Sequence, residues 1–134
     1  MSEENVKKIR RGFEAMRRGD VAAFLEIADE AVEYEPISAP LFGLGVIRGR
    51  AAVERFFTVD QPQGLADFRA EAVSIEDRGD VVLVHTRASA TGTSSGAAVV
   101  LDSFGFFRFR DGKVIEFRDF ETRAAALEAA GLSE

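Results

Sequence analysis

The side chains that could do acid–base chemistry in this chain lie on a few segments whose polar and apolar residues alternate. Along 80–91 the alternation puts Leu83, His85, Arg87, Ser89 and Thr91 on one side and Val82, Val84, Thr86, Ala88 and Ala90 on the other. Near the C-terminus Ile115, Phe117, Asp119 and Glu121 share a side. If the His85 side looks inward, Asp119 comes near Arg87 across the sheet, walled by Phe107, Phe109 and Phe117, with Ser89 beside them. A carboxyl group in such a place suits general acid–base work, because apolar surroundings raise its pKa and a guanidinium lowers it again. His85, the single histidine, could serve the same role near neutral pH. The bland reading of the same residues is a cross-strand ion pair and a structural histidine.

The elements that must position these groups are legible from periodicity. Ser103 to Thr122 threads phenylalanines between charged residues at nearly every second position, and Asp111-Gly112 supplies the positive φ angles of a tight turn, so the segment predicts an aromatic-lined hairpin. Asp102-Ser103 and Phe106-Phe107 each put one residue on either face, and a bulge near Gly105 would exchange them. Upstream, strands are expected over 68–77, 80–91 and 97–110, and a short one over 31–35. Val6, Ile9, Phe13 and Met16 recur at helical spacing until Gly19, Asp20 can cap a second helix over 21–28, and a third runs over 50–59. Thr122 caps a last helix that stops at Gly131. The loop over 36–49, with Leu41, Phe42, Leu44 and Ile47, is too apolar for water and should cover an opening or a partner. Helices ahead of an antiparallel meander mean an α+β domain, a single one over 1–134.

Composition removes several classes of function. With no cysteine among 134 residues, disulfides, thiolate metal sites and thiol nucleophiles are excluded, and one histidine rules out a multi-histidine metal centre. A formal charge of −6 disfavours nucleic acid and anionic membranes, and the pairs Lys7-Lys8, Arg10-Arg11 and Arg17-Arg18 read as the wet face of the first helix. The polar start and the lack of long apolar runs lead to the expectation of a cytoplasmic protein without signal peptide or membrane span.

Four segments in this order, 5–20, 47–57, 107–114 and 117–132, resemble the nuclear transport factor 2-like superfamily, and within it the SnoaL-like group. The resemblance implies a cone-shaped curved sheet wrapped around the N-terminal helices, an apolar pocket at one end, and a homodimer joined through the sheets, with Phe104 and Phe106 as the outward rings. It implies no cofactor and no metal. Limonene epoxide hydrolases of this fold use an Arg-x-Asp on one strand and an Asp on another; here Arg87-Ala88-Ser89 carries serine in place of the first aspartate, so that route is not expected. Likeness to the ketosteroid isomerases and polyketide cyclases would make Asp119 or His85 the base and Tyr34, the single tyrosine, the donor to an enolate oxygen. The expected activity is that of an isomerase, cyclase or dehydratase acting on a small apolar carbonyl compound. Its alternatives are a binding protein in which Arg87 and His85 anchor the ligand, and a dimeric interaction module.

Overall fold

The computed structural model describes residues 2–134. Helix α1, Ser2–Arg17, buries Ile9, Phe13 and Met16 and leaves its basic pairs toward solvent. Gly19, at φ 77°, ends it, and the Asp20 carboxylate caps the short α2, Val21–Phe24, by accepting from Ala23 N–H at 3.1 Å. That helix is shorter than its sequence suggests. A 3₁₀ turn over Leu25–Ile27 follows, and β1, Ala28–Glu35, begins where helix was expected.

The loop after β1 folds a 3₁₀ turn, Ala39–Phe42, and the two-residue strand β2, Ile47–Arg48. Its Pro36, Ile37 and Ser38 border a cavity and Phe42 packs edge-on against Phe56, whereas Leu41 stays 78% exposed. Helix α3, Arg50–Arg55, continues into a π turn, Phe56–Asp60, closed by Gln61 N–H on Phe56 O, and then a 3₁₀ turn, Gln61–Gln63. The meander comprises β3, Leu65–Arg78; β4, Val81–Gly92; β5, Ala98–Arg110; and β6, Lys113–Phe120. Asp111 and Gly112 both have positive φ, 52° and 76°, as the expected turn between β5 and β6 requires. Thr122 caps α4, Arg123–Ala130, and Gly131 in the left-handed region ends it.

Six strands form one curved, unclosed sheet in the order β2-β1-β6-β5-β4-β3, with β1 parallel to β6 and the other pairs antiparallel. Its inner face packs on α1 to α3. There the cross-strand partners Tyr34, Phe117 and Phe107 stack as a ladder, with ring centroids 3.9 and 5.2 Å apart. Such aromatic pairs add about 0.5–1.5 kcal/mol each beyond their buried area. On the outer face α4 covers Val81, Leu83 and Phe106.

Two expectations about facing need correction. The β5–β6 register shifts between Arg108 and Phe109, so Val114 rather than Ile115 joins the core before Phe117 and Asp119 resume the inward alternation. Phe106, expected at a dimer surface, is 0% exposed because α4 lies on it.

Candidate active site

Between the helices and the inner face of the sheet lies a cavity of about 80 Å³. At roughly 10–15 Å³ per enclosed water, it has room for about five to eight waters, the space of a small ring compound. Phe13 and Phe24 from the first two helices, Phe57 from the π turn, Phe68 from β3 and Phe107 and Phe117 from the sheet make the wall apolar. Polar groups are few. Tyr34, Ser38, Gln61, Thr86, Ser89, Ser103 and Asp119 border the space, and among the described residues no Lys, Arg or His does.

Asp119 follows Phe117 by two residues on β6, which keeps it on the inner face. The aromatic ladder holds Tyr34 over Phe117 so that the tyrosine hydroxyl donates to Asp119 Oδ2 at 3.4 Å. A backbone hydrogen bond from Ile37 supports the same carboxylate. On the other side Gly105, its register partner on β5, lets the carboxylate lie against bare backbone: a Cβ there would meet Oδ1 at 2.6 Å. Burial pushes the Asp119 pKa up to about 7, against the lowering effect of the Tyr34 and Ile37 hydrogen bonds. Burial, then the nearby Asp119 charge, hold the Tyr34 hydroxyl well above its ordinary pKa. The aspartate borders the cavity and so keeps some accessible surface, while protein packs around the carboxyl group closely enough for desolvation to dominate its ionisation.

The face of β4 that enters the cone is the small one. Val82 and Val84 join the core, and Thr86, Ala88 and Ala90 border the cavity. His85 and Arg87 therefore lie on the outer face, and the expected approach of Arg87 to Asp119 is not formed. Arg87 instead binds Asp102, its register partner on β5, with Nε to Oδ1 at 2.8 Å, and that hydrogen bond holds the Asp102 carboxyl below its usual range. His85 stacks on Phe104, centroids 4.5 Å apart, with Nε2 3.7 Å from Asp102 Oδ1 and no hydrogen-bond partner. The physical reason is volume. Phenylalanines from the helices fill the cone, leaving room over β4 only for Val, Thr and Ala, while a guanidinium is better solvated outside.

The unbroken β4–β5 register settles the doublets: Ser103 and Phe107 turn inward, Asp102 and Phe106 outward. Phe109 is buried in the core deeper than the cavity wall, and Ser89 borders the cavity from an exposed position. Tyr34, Phe107, Phe117 and Asp119 are thus brought together, and His85, Arg87 and Phe109 are not. Sequence reasoning missed Gln61 and Ser38, both buried at the cavity. A polar residue at Gln61 one turn after Phe57 was the available signal, hidden by a helix expected to end at 59.

Comparison with known proteins agrees with this architecture. The model of the SnoaL-like domain family matches residues 9–117. No curated protein is matched by the sequence at a significant level. Among solved structures, an NTF2-like protein of unknown function from Burkholderia pseudomallei K96243 is 22% identical, with a TM-score of 0.77 over 93% of this chain and 95% of that one. TerC, co-crystallized with polyporic acid, is 23% identical, with a TM-score of 0.78 over 91% and 94% of the two chains. A protein of ketosteroid isomerase-like fold from Catenulispora acidiphila DSM 44928, in complex with trimethylamine, is 12% identical, with a TM-score of 0.70 over 99% and 96%. At these identities the likeness is one of fold.

Proposed function

The chain belongs to the SnoaL-like domain family, and on that premise we propose that it admits a small, largely apolar carbonyl compound to the cavity and moves a proton beside the carbonyl, with Asp119 as the acid–base group. The observation that carries this reading is a single carboxyl group in an aromatic cavity, hydrogen-bonded by Tyr34 and poised to titrate at about 7. Near neutral pH both of its forms are populated. As carboxylate it can take a proton from the carbon next to a carbonyl, and as acid it can return the proton elsewhere on the molecule, which is the work of an isomerase, cyclase or dehydratase that uses no cofactor.

Negative charge then develops on the carbonyl oxygen and needs a donor. The raised pKa of Tyr34 keeps its O–H protonated. Once Asp119 has taken the proton it is a weaker acceptor, so the Tyr34 hydroxyl is freed to turn toward the enolate oxygen. Because no cationic side chain borders the cavity among the described residues, a neutral ligand fits it better than an anion.

The test follows deuterium uptake by 2-indanone in D₂O by NMR, a reaction that reports proton removal next to a carbonyl whatever the natural substrate. Wild type is expected to accelerate the exchange, and Asp119→Asn to return it to background while still binding the ketone. Unchanged exchange in Asp119→Asn removes the residue from the mechanism. Binding without exchange in wild type favours a ligand-binding protein.

We also propose that two copies pair through the outer face of β4 and β5, where Val100 stands 68% exposed near the Arg87–Asp102 pair.

A further inference from the structure

Gln61 is the most deeply buried polar residue at the cavity, 2% exposed, and its side-chain oxygen Oε1 has no hydrogen-bond partner within the chain. A buried amide oxygen without a donor loses its water and gains nothing in return, so such atoms are rare unless something outside the chain completes them. The fold places it there deliberately. The π turn over Phe56–Asp60 ends on Gln61 itself, whose N–H closes it on Phe56 O, and π turns recur where a helix must present a side chain off its regular spacing. Phe57 and Gln61, one turn apart, then both border the cavity. Ser38 and Ser103 also reach it from buried positions, but a serine hydroxyl turns to suit a neighbour, whereas an amide oxygen only accepts.

We infer that Gln61 selects the ligand by accepting a hydrogen bond from a hydroxyl group, so that the compound taken up is a neutral hydroxy ketone, its hydroxyl on Gln61 and its carbonyl region at Asp119. This rests on the reading that the cavity takes a carbonyl compound, and adds a second polar requirement to it. A plain ketone of the same skeleton leaves the amide unpaired and binds more weakly.

The experiment compares the affinities of 2-indanone and 5-hydroxy-2-indanone by NMR titration, with deuterium exchange measured in the same samples. Wild type is expected to bind the hydroxy ketone roughly tenfold more tightly, the scale of one completed buried hydrogen bond. Gln61→Met, which keeps the length and removes the amide, is expected to abolish that preference, to retain exchange of 2-indanone, and to melt no lower than wild type without ligand. Gln61→Asn, which retracts the amide by one carbon, is expected to lose the preference as well. Equal affinities in wild type with exchange intact overturn the role of Gln61 alone, as does a preference that survives in Gln61→Met. Failure of both ketones to bind wild type overturns the carbonyl reading of the cavity and this inference with it.

Discussion

Gly105 and Asp119 face each other across the β5–β6 pair so closely that a methyl group on residue 105 would sit 2.6 Å from Asp119 Oδ1 and 2.9 Å from Arg118 O. Neither neighbour can retreat cheaply, one being backbone and the other a carboxyl group packed at the cavity wall. Gly105→Ala is therefore expected to cost about 1–3 kcal/mol in denaturant unfolding and to suppress ketone exchange by displacing Asp119. Gly45→Ala, with no atom within 4 Å of the new carbon, is the control and should change stability by less than about 0.5 kcal/mol. Equal effects at the two positions would count against the close approach.

Removing the Tyr34 hydroxyl takes away a hydrogen bond that lowers the Asp119 pKa. Tyr34→Phe should move that pKa further above 7 and shift the basic form, with the exchange it supports, to higher pH. The ¹³C chemical shift of the Asp119 carboxyl against pH reads this directly. A midpoint that stays or falls refutes the role given to the hydroxyl.

Stability should depend on pH with an unusual sign. Asp119 titrates at about 7 in the folded protein against an ordinary 3.8, so between these values the folded chain holds a proton that the unfolded chain has released. Stability contributed by this proton is full below about 4 and is lost as pH rises to 7. Each unit of difference is worth about 1.4 kcal/mol, so the loss amounts to a few kcal/mol. Asp119→Asn should flatten this slope in urea titrations and be the more stable protein at pH 8. Parallel slopes for the two proteins would show that the carboxyl is not buried in this way.

Arg87 lies outside the cone, paired with Asp102 on an exposed surface. Arg87→Ala and His85→Ala should leave the rate of ketone exchange within about twofold of wild type, since neither side chain borders the cavity. A loss on the scale of Asp119→Asn would place them at the reaction after all.

Phe106 and Val100 separate two roles of the outer face. Phe106→Ala should cost about 3–5 kcal/mol, because it opens a hole beneath α4 among Val81, Leu83 and Leu127, with no direct effect on pairing of copies. Val100→Asp should leave the melting of the single chain nearly unchanged and yield a monomer on a sizing column. An elution volume that does not move excludes this face as the interface.

The hairpin from β5 to β6 was legible in the sequence, since alternating phenylalanines and an Asp-Gly turn permit little else, and the helices were legible wherever apolar spacing met a cap such as Asp20 or Thr122. The candidate site was legible in part. Parity put Asp119 with Phe117, but which parity of β4 faces inward is a question of volume, answered only when Phe13, Phe24 and Phe57 arrive from elements distant in sequence. The Tyr34 hydroxyl on Asp119 spans 85 residues and depends on a parallel β1–β6 pairing that no local pattern encodes. The sequence by itself determined the family of shapes and the carboxyl group beside an aromatic wall, because alternation and turn chemistry are local. Only the tertiary structure decided that Arg87 and His85 stay outside and that Gln61 and Gly105 matter, because burial and close approach are properties of space shared by several strands and helices.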